Sequence, residues 1–363
     1  MSPSIPLSGI PILPLSAPEE YEFKFVGEGA SNVVFEVLVR PGCGSSTNGI
    51  FRGNLLRVPK AGTKAHSYVE LQEYWETVIT PLFKPEDLVQ HQLVQLGGEA
   101  VITRLNAVLE QGEDTRRVDF RGSRVAMAEY GMLVEDMRLR DPNDLTLEFK
   151  PKWLAQSPNA PPSATRCRNC AREALKYHVK LTSGNQTTKP SPPRRILCPF
   201  DFLTCGTCPL ALSNILTHLS ALDPPLPPQT THQAQYNRLI HWLQTNTVLP
   251  RLRTAQLAND PRGPLQADAH DPKFQLAMTL RDCTCFVRVP ADPNLPVEAK
   301  LADLDKKNWA AKLGYWQAME RRLIVGGYYE GREGTGTGTD CQLDRRGIGK
   351  GGLIKDSQEE TEV

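Results

Sequence analysis

Asp282, Asp303 and Asp305 are the carboxylates whose spacing most suggests chemistry. Asp282 lies in Arg281-Asp282-Cys283-Thr284, between two expected strands, Phe274–Leu280 and Cys285–Val289. Asp303 and Asp305 follow about twenty residues on, in Leu301-Ala302-Asp303-Leu304-Asp305. In phosphoryl transfer, one loop aspartate takes or orients the proton of the attacking hydroxyl; a second, beyond a short strand, ligates Mg2+ between the phosphates. Aspartates at strand ends also serve as plain turn residues, so spacing alone leaves both readings open. A second feature, Gly27-Glu28-Gly29-Ala30-Ser31-Asn32, sits between two expected strands, where backbone without Cβ atoms approaches a triphosphate closely. It is not a Walker loop, because no Gly-Lys-Ser/Thr follows and no helix opens there. Asn32 stands where a phosphate-covering loop has its third glycine; an ordinary hairpin turn is the competing reading. One strand later, Leu56-Arg57-Val58-Pro59-Lys60 places Arg57 and Lys60 where a cation meets the α- and β-phosphates. Either residue equally fits a charged strand end.

Basic residues form two local clusters. In Glu148-Phe149-Lys150-Pro151-Lys152 two lysines bracket a proline, whose fixed φ predicts an extended segment with both ammonium groups on one side. Rigidly paired lysines suit an anion with several phosphates. Arg168, Arg172, Lys176 and Lys180 recur every four residues. A helix over Arg166–Lys180 stacks them on one face, with Glu173 off the stripe. Like charges at this spacing weaken a helix by about a few tenths of a kcal/mol per pair. A bound polyanion offsets that; a solvated basic face is the alternative.

The cysteines offer a third chemistry. Cys167-x-x-Cys170 and Cys205-x-x-Cys208 have the paired spacing of a structural Zn2+ site, with His178 and Cys198 as spare ligands. Ordinary free cysteines are the simpler reading.

These groups need a frame. Tyr21–Val26 and Val33–Val39 alternate as strands about the glycine turn, residues 41–49 are a Gly/Ser/Asn loop, and Leu55–Val58 is the next strand. Tyr68–Leu82 has helical spacing, with Val69, Tyr74, Val78 and Leu82 as expected buried positions. Val125–Val134 is a further strand leading to Glu135-Asp136. Beyond it helices mix with a few strands, punctuated by proline-rich connections at 157–163, 189–193 and 224–228. Asn308–Val325 is an amphipathic helix with Trp309, Leu313, Trp316, Met319 and Leu323 on one face. The expected class is α+β in two lobes: a β-rich N-terminal lobe over 21–140 and a larger mixed lobe over 141–327. An N-terminal tail covers 1–20, and 328–363, Gly/Thr-rich and charged, carries no core pattern and is expected to be disordered.

Composition narrows the partners. The 363 residues suffice for a sizeable core, and a net charge of +1 argues against a general nucleic-acid binder. The N-terminus lacks a basic start followed by a long apolar core, so no signal peptide is expected. No apolar run reaches the roughly 18 residues of a membrane span. Nine cysteines, an odd number, fit a reducing compartment better than a disulfide framework.

Taken together, the chain resembles the inositol-pentakisphosphate 2-kinase family, fungal members more than plant ones. The matching stretches are Gly27–Val34, Leu55–Val58, Glu148–Lys152, Cys167–Cys170 running on to Ala174–His178, Cys198–Phe202, Leu280–Cys283 and Asp303–Asp305. They occur in family order over about 21–325; Glu-x-Lys-Pro-Lys is the most specific and the glycine loop the least. The resemblance implies a bilobal kinase-like architecture. It also implies ATP- and Mg2+-dependent phosphorylation of the 2-hydroxyl of inositol 1,3,4,5,6-pentakisphosphate, giving the hexakisphosphate. It implies Asp282 as the catalytic residue and Asp303 as the metal ligand, assisted by Asp305. Gly27, Gly29, Asn32 and Arg57 fall on the nucleotide side, with Glu135-Asp136 at an adenine-contacting hinge. Lys150, Lys152 and Lys176 match inositide-binding lysines; Arg117, Lys307 and Tyr315 are further phosphate ligands, and Arg168 and Arg172 join them from the basic stripe. The plant members carry an arginine between that lysine and tyrosine; the nearest residues here are Ala311 and Lys312, and a one-residue shift gives the role to Lys312. The plant-type zinc site has no counterpart at the same place. A monomer in the nucleus or cytoplasm is expected. A non-catalytic inositide binder, another small-molecule or protein kinase, and a zinc-containing nucleic-acid module are the alternatives; the last fits poorly with near-neutral charge.

Overall fold

A computed structural model describes residues 21–39, 51–63, 66–138, 141–182, 197–221, 226–268, 270–307, 309, 312–332 and 341–345. The expected tail over 1–20, the loop 41–49, the proline-rich 189–193, Ala311 and the chain beyond Arg345 lie outside the described residues. The chain divides into two compact units. One takes the chain up to Arg138 and again Lys300–Asn308; the other takes Leu139–Ala299 and the chain from Trp309 onward. The sequence reading had placed 300–308 wholly in the second lobe.

The first unit is built on a five-stranded antiparallel sheet of order β1-β2-β3-β5-β4: β1 Tyr21–Glu28, β2 Asn32–Val39, β3 Asn54–Pro59, β4 His91–Gln95 and β5 Tyr130–Glu135. Alternation explains it: Tyr21, Phe23, Val33, Phe35, Leu56 and Val58 turn to one face and bury there. Helix α2 (Glu99–Gln111) covers that face with Val101, Ile102, Leu105 and Leu109. Leu93 and Met132, one residue out of phase with Val94 and Leu133, pack instead with Tyr68 and Leu71 of α1 (Tyr68–Tyr74). Ser67 and Glu70 form a reciprocal capping box that starts α1. The helix expected to run to Leu82 becomes a π-turn at Trp75–Ile79 and then a 3-10 turn over Thr80–Leu82. Tyr68, Leu71, Gln72 and Ile79 are the buried positions, while the expected Val69, Tyr74, Val78 and Leu82 are half-buried. The apolar phase was read one step off, and the wider turn shifts it further.

The second unit holds the antiparallel pair β6 (Leu145–Phe149) and β7 (Thr284–Val289); β8 (Glu298–Ala302) starts in it and runs on into the Lys300–Asn308 stretch of the first unit. The second unit's helices are α3 (Arg168–Thr182), α4 (Asp201–Thr204), α5 (Pro209–Leu219), α6 (Gln233–Thr245), α7 (Val248–Asn259), α8 (Pro272–Leu280), α9 (Leu313–Val325) and α10 (Gln342–Arg345). Two corrections bear on function. Phe274–Leu280 is helical, not a strand: Asp271 caps it by accepting from the Lys273 and Phe274 amides, and Pro272 opens its first turn. The residues after 327 are not uniformly without a core, since Tyr329 and Cys341 are fully buried. Tyr328 and Tyr329 pack with Ala171, Ala174 and Leu175 of α3 and Leu323 of α9. Helix α9 begins at Leu313, so Trp309 precedes it, although buried.

Candidate functional site

In the first unit, β1 and β2 meet at the glycine turn, where the Gly29 amide donates to the Asn32 carbonyl at 2.9 Å and the strand register shifts between Phe25 and Gly27. A Cβ at Gly27 or Gly29 would meet nothing within 4 Å, so the backbone here is open to a ligand. The Asn32 side chain is fixed by the Tyr68 hydroxyl, which donates to its Oδ1 at 3.0 Å. The two expected phosphate cations are both paired. Lys60 is buried with its Nζ 2.6 Å from Glu28, and Arg116 donates to the same carboxylate at 2.8 and 2.7 Å. Burial pushes the Glu28 carboxyl up, but the Arg116 and Lys60 contacts hold it below the usual range.

Arg57 meets Asp305 as a two-pronged pair at 3.1 and 3.0 Å. Burial opposes both charges, and the pairing prevails: the Asp305 carboxyl is held low and the Arg57 guanidinium high. Asp305 therefore has both oxygens on arginine. Asp303 differs. Its side chain is about half exposed, and Lys307 Nζ stands 3.9 Å away. It also has φ of 58°, a left-handed conformation for a residue with a Cβ. At the end of β5, Glu135 receives both Lys300 Nζ contacts, at 2.6 and 2.7 Å, and the Gln90 amide at 3.2 Å. Asp136 is taken by Arg138 at 2.8 Å. Arg117 is exposed, with its guanidinium over the Phe120 ring.

In the second unit, Asp282 lies in the turn between α8 and β7, its amide donating to the Thr279 carbonyl at 3.0 Å. Lys150 Nζ donates to the Asp282 main-chain oxygen at 2.9 Å and Lys152 Nζ to Asp282 Oδ1 at 3.2 Å. Both lysines do point the same way, though not by simple extension, because Lys152 has φ of 60°. Among the described residues, Lys152 and Asp303 are the non-glycine positions recorded with positive φ, a conformation costing about 1–3 kcal/mol that clusters at functional sites. Burial lowers the Lys152 ammonium, Asp282 pulls it back up, and Lys150 and then Arg172 add to the fall. Two lysines thus converge on one carboxylate, with Arg172 acting electrostatically on Lys152, leaving a surplus of positive charge. Lys176 lies one turn beyond Arg172 on α3 and pairs with Glu173 at 2.5 Å. Tyr315 on α9 is exposed, and Lys312 immediately precedes that helix.

Arg168 departs from expectation. It is buried and donates to Glu320 at 2.7 Å. That same carboxylate accepts the Ser157 and Tyr329 hydroxyls, each at 2.6 Å. Arg168 therefore belongs to the core rather than to an exposed basic stripe. Its guanidinium lies 4.1 Å from the Trp153 ring centre, and that of Arg281 lies at 3.6 Å. Burial lowers Arg281 to about 10 despite its pairing with Asp260. Residues 153 and 281 adjoin Lys152 and Asp282 in the chain, so this ring fixes the backbone on both sides of the site. Gln256 on α7, absent from the sequence reading, does the same more directly. Fully buried, its amide donates to the Lys152 and Leu280 carbonyls at 2.9 and 3.1 Å and accepts from the Leu154 amide at 2.9 Å.

The expected cysteine pairs do not meet. Cys205 donates to the Leu243 carbonyl at 3.1 Å, and Cys208 stands at the N-cap position of α5 without a side-chain capping bond. Instead Cys167 and Cys170 are joined by Cys198 and Cys341, whose sulfur atoms all lie within 4.8 Å of one another. His178 is engaged with the Tyr328 hydroxyl at 2.7 Å.

A sequence profile described as inositol-pentakisphosphate 2-kinase matches residues 25–322. The inositol-pentakisphosphate 2-kinase of Yarrowia lipolytica is 33% identical over 203 residues, 54% of this chain and 56% of that protein. That of Eremothecium gossypii is 32% identical over 179 residues, 48% of this chain and 53% of that protein. The chain thus spans about half the length of these relatives. With the profile running from the glycine turn through Asp282 and Asp303 to α9, the chain belongs to the inositol-pentakisphosphate 2-kinase family.

Proposed function

We propose that the chain transfers the γ-phosphoryl group of ATP to the 2-hydroxyl of inositol 1,3,4,5,6-pentakisphosphate, giving inositol hexakisphosphate and ADP. The observation that carries this reading is the convergence of Lys150 and Lys152 on Asp282, in a chain of this family. Surplus positive charge around one carboxylate suits a polyanionic alcohol: the cations hold phosphates while the carboxylate addresses a hydroxyl. Asp282 accepts the hydroxyl proton as the 2-oxygen bonds to the γ-phosphorus and the β,γ-bridging bond breaks. Lys176, Arg117, Lys307 and Tyr315 serve the remaining phosphates. The division of labour is kinase-like, with the glycine turn and the Glu135-Asp136 strand end serving the nucleotide.

Mg2+ fits Asp303, whose half-exposed carboxylate sits on a left-handed backbone of the kind that clusters at functional sites. When bound, the ion neutralises charge on the transferring phosphates. Asp305 is assigned a different part: it fixes Arg57 beneath the sheet end. A second reading, non-catalytic inositol-polyphosphate binding, is favoured by one observation, the pairing of both Arg57 and Lys60 with carboxylates. One experiment separates them: folded protein is mixed with MgATP and the pentakisphosphate, and the inositides are resolved. Hexakisphosphate supports transfer; binding without product supports the second reading, and neither sinks both. Asp282→Asn is expected to keep substrate affinity while turnover falls by at least ~100-fold, the usual worth of a general base.

A further inference from the structure

With Gly27 and Gly29 in open space, the glycine turn has little packing of its own. Glycine loses the most conformational freedom when it is fixed, so a phosphate that must first order such a turn binds more weakly than one that meets it already placed. Here the turn is pinned from outside. The Glu28 carboxylate, 3% exposed, takes Lys60 Nζ at 2.6 Å and the Arg116 guanidinium at 2.8 and 2.7 Å. Further along, the Lys60 amide donates to the Ser31 carbonyl at 2.8 Å, and the Tyr68 hydroxyl holds Asn32. Lys60 therefore grips the turn twice, by main chain and by side chain.

Both cations are enclosed rather than presented outward. The Lys60 side chain is 2% exposed, its Nζ lying 3.9 Å from the centre of the Phe120 ring. The Arg116 side chain is fully buried and also donates to Glu113 at 2.7 Å, to the Phe120 carbonyl at 3.0 Å and to the Ser123 hydroxyl at 2.7 Å, so residues 113–123 fold around it. Main-chain bonds from Ala61 to Arg124 and from Ala126 to Pro59, each 2.8 Å, stitch that loop to the end of β3. Resting on the nucleotide role assigned above to the glycine turn, we propose that Lys60 and Arg116 are positioning residues: acting through Glu28, they hold the turn ready for the phosphates of ATP and touch no phosphate themselves. The opposite arrangement, in which Glu28 stores Lys60 until a phosphate takes it, predicts the reverse sign for one substitution. If Glu28 only withholds Lys60, removing its charge releases a cation and ATP binds more tightly. If Glu28 pins the turn, ATP binds less tightly.

Glu28→Gln, Lys60→Met and the double variant are compared with the full wild-type chain, each checked by thermal unfolding and assayed well below its midpoint. Calorimetry reads MgATP affinity without acceptor, and turnover of the pentakisphosphate gives KM and kcat. Glu28→Gln should weaken MgATP by at least ~10-fold, roughly the worth of one backbone residue left to be ordered on binding. Inositide KM, and kcat at saturating ATP, should stay within about twofold. Lys60→Met keeps the Glu28–Arg116 pair and should cost less, and the double variant should lose no more than Glu28→Gln alone, because both act through one carboxylate. Should Glu28→Gln not fold, Lys60→Met carries the test: its loss must lie in the KM for ATP and not in kcat. Unchanged or tighter MgATP binding by folded Glu28→Gln overturns the proposal. So does a fall in kcat in Lys60→Met, or an additive loss in the double variant, since either puts Lys60 on a phosphate. Equal weakening of MgATP and inositide overturns it as general loosening. The calorimetric comparison decides it even in a chain that binds both ligands without transfer, whereas a wild-type chain that binds no MgATP overturns the nucleotide reading and this proposal with it.

Discussion

Replacing Gln256 with glutamate tests whether one buried amide holds the two halves of the proposed inositide site. The wild-type side chain donates both amide hydrogens to carbonyls, those of Lys152 and Leu280, and accepts from the Leu154 amide. Gln256→Glu keeps size and the accepting oxygen but removes one donor when protonated and both when ionised. An orphaned buried carbonyl costs about 1–3 kcal/mol, so the protonated variant should lose that much stability. Ionisation orphans the second carbonyl and sets a carboxylate against two carbonyl oxygens in a dry site, adding about 2–4 kcal/mol. The introduced carboxyl must therefore titrate higher in the folded than in the unfolded protein, where it ionises near ~4.3. Between those two values the folded state binds more protons, so stability falls as pH rises, by up to ~1.4 kcal/mol per pH unit. In a unit of this size 1 kcal/mol moves the melting temperature by about 2–4 °C. About 1 kcal/mol of that loss already falls below pH 5, so the gap to wild type should widen by about 2–12 °C between pH 5 and pH 8, measured by thermal unfolding of both proteins in matched buffers. At low pH, inositide affinity and turnover should approach wild type. A gap of equal size at both pH values would refute the reasoning, because it would mean the amide donors carry nothing.

The two arginines of α3 should separate cleanly. Arg168→Ala leaves Glu320 buried without its cation and should cost about 3–5 kcal/mol of stability in thermal or urea unfolding. Arg172→Ala should leave stability nearly unchanged but lower affinity for inositol polyphosphates in calorimetry. Because burial, Lys150 and Arg172 depress Lys152, a bound polyphosphate should raise it again and draw in a proton. Affinity should then fall as pH rises past the free Lys152 value, and calorimetry in buffers of different ionisation heat should show proton uptake at alkaline pH.

Local chemistry was more legible in the sequence than the geometry that completes it. Lys150, Lys152 and Asp282 stand out because their types and spacing are themselves the signal, and the structure brings them together. Alternation revealed β1, β2 and β3 because each buries one face. The α8 helix was missed because an apolar run carries no period of its own; Asp271-Pro272, a cap followed by a first-turn proline, was the available signal. Arg168 was assigned to a stripe because periodicity reports the face of a helix but not which end of that face is covered by Glu320. Cys341 and Gln256 gave no local cue at all. Their partners lie more than 100 residues away in Cys198 and Lys152, and nothing in a linear pattern announces such a meeting.

The segment Lys300–Asn308 also carries a consequence for how the chain is made. It returns to the first unit with Asp305 for Arg57, Lys300 for Glu135 and a backbone bridge from Leu301 to Leu88. A fragment ending at Arg138 therefore lacks the partner of a buried arginine and the anchor of its last strand, so excising it should yield a loosened sheet. During synthesis the same holds: the five strands emerge early, but their unit becomes whole only after the second unit's 161 intervening residues, Leu139–Ala299, have left the ribosome. The nascent sheet must wait for its final piece, which makes translation through that stretch the interval in which it is most exposed to misfolding.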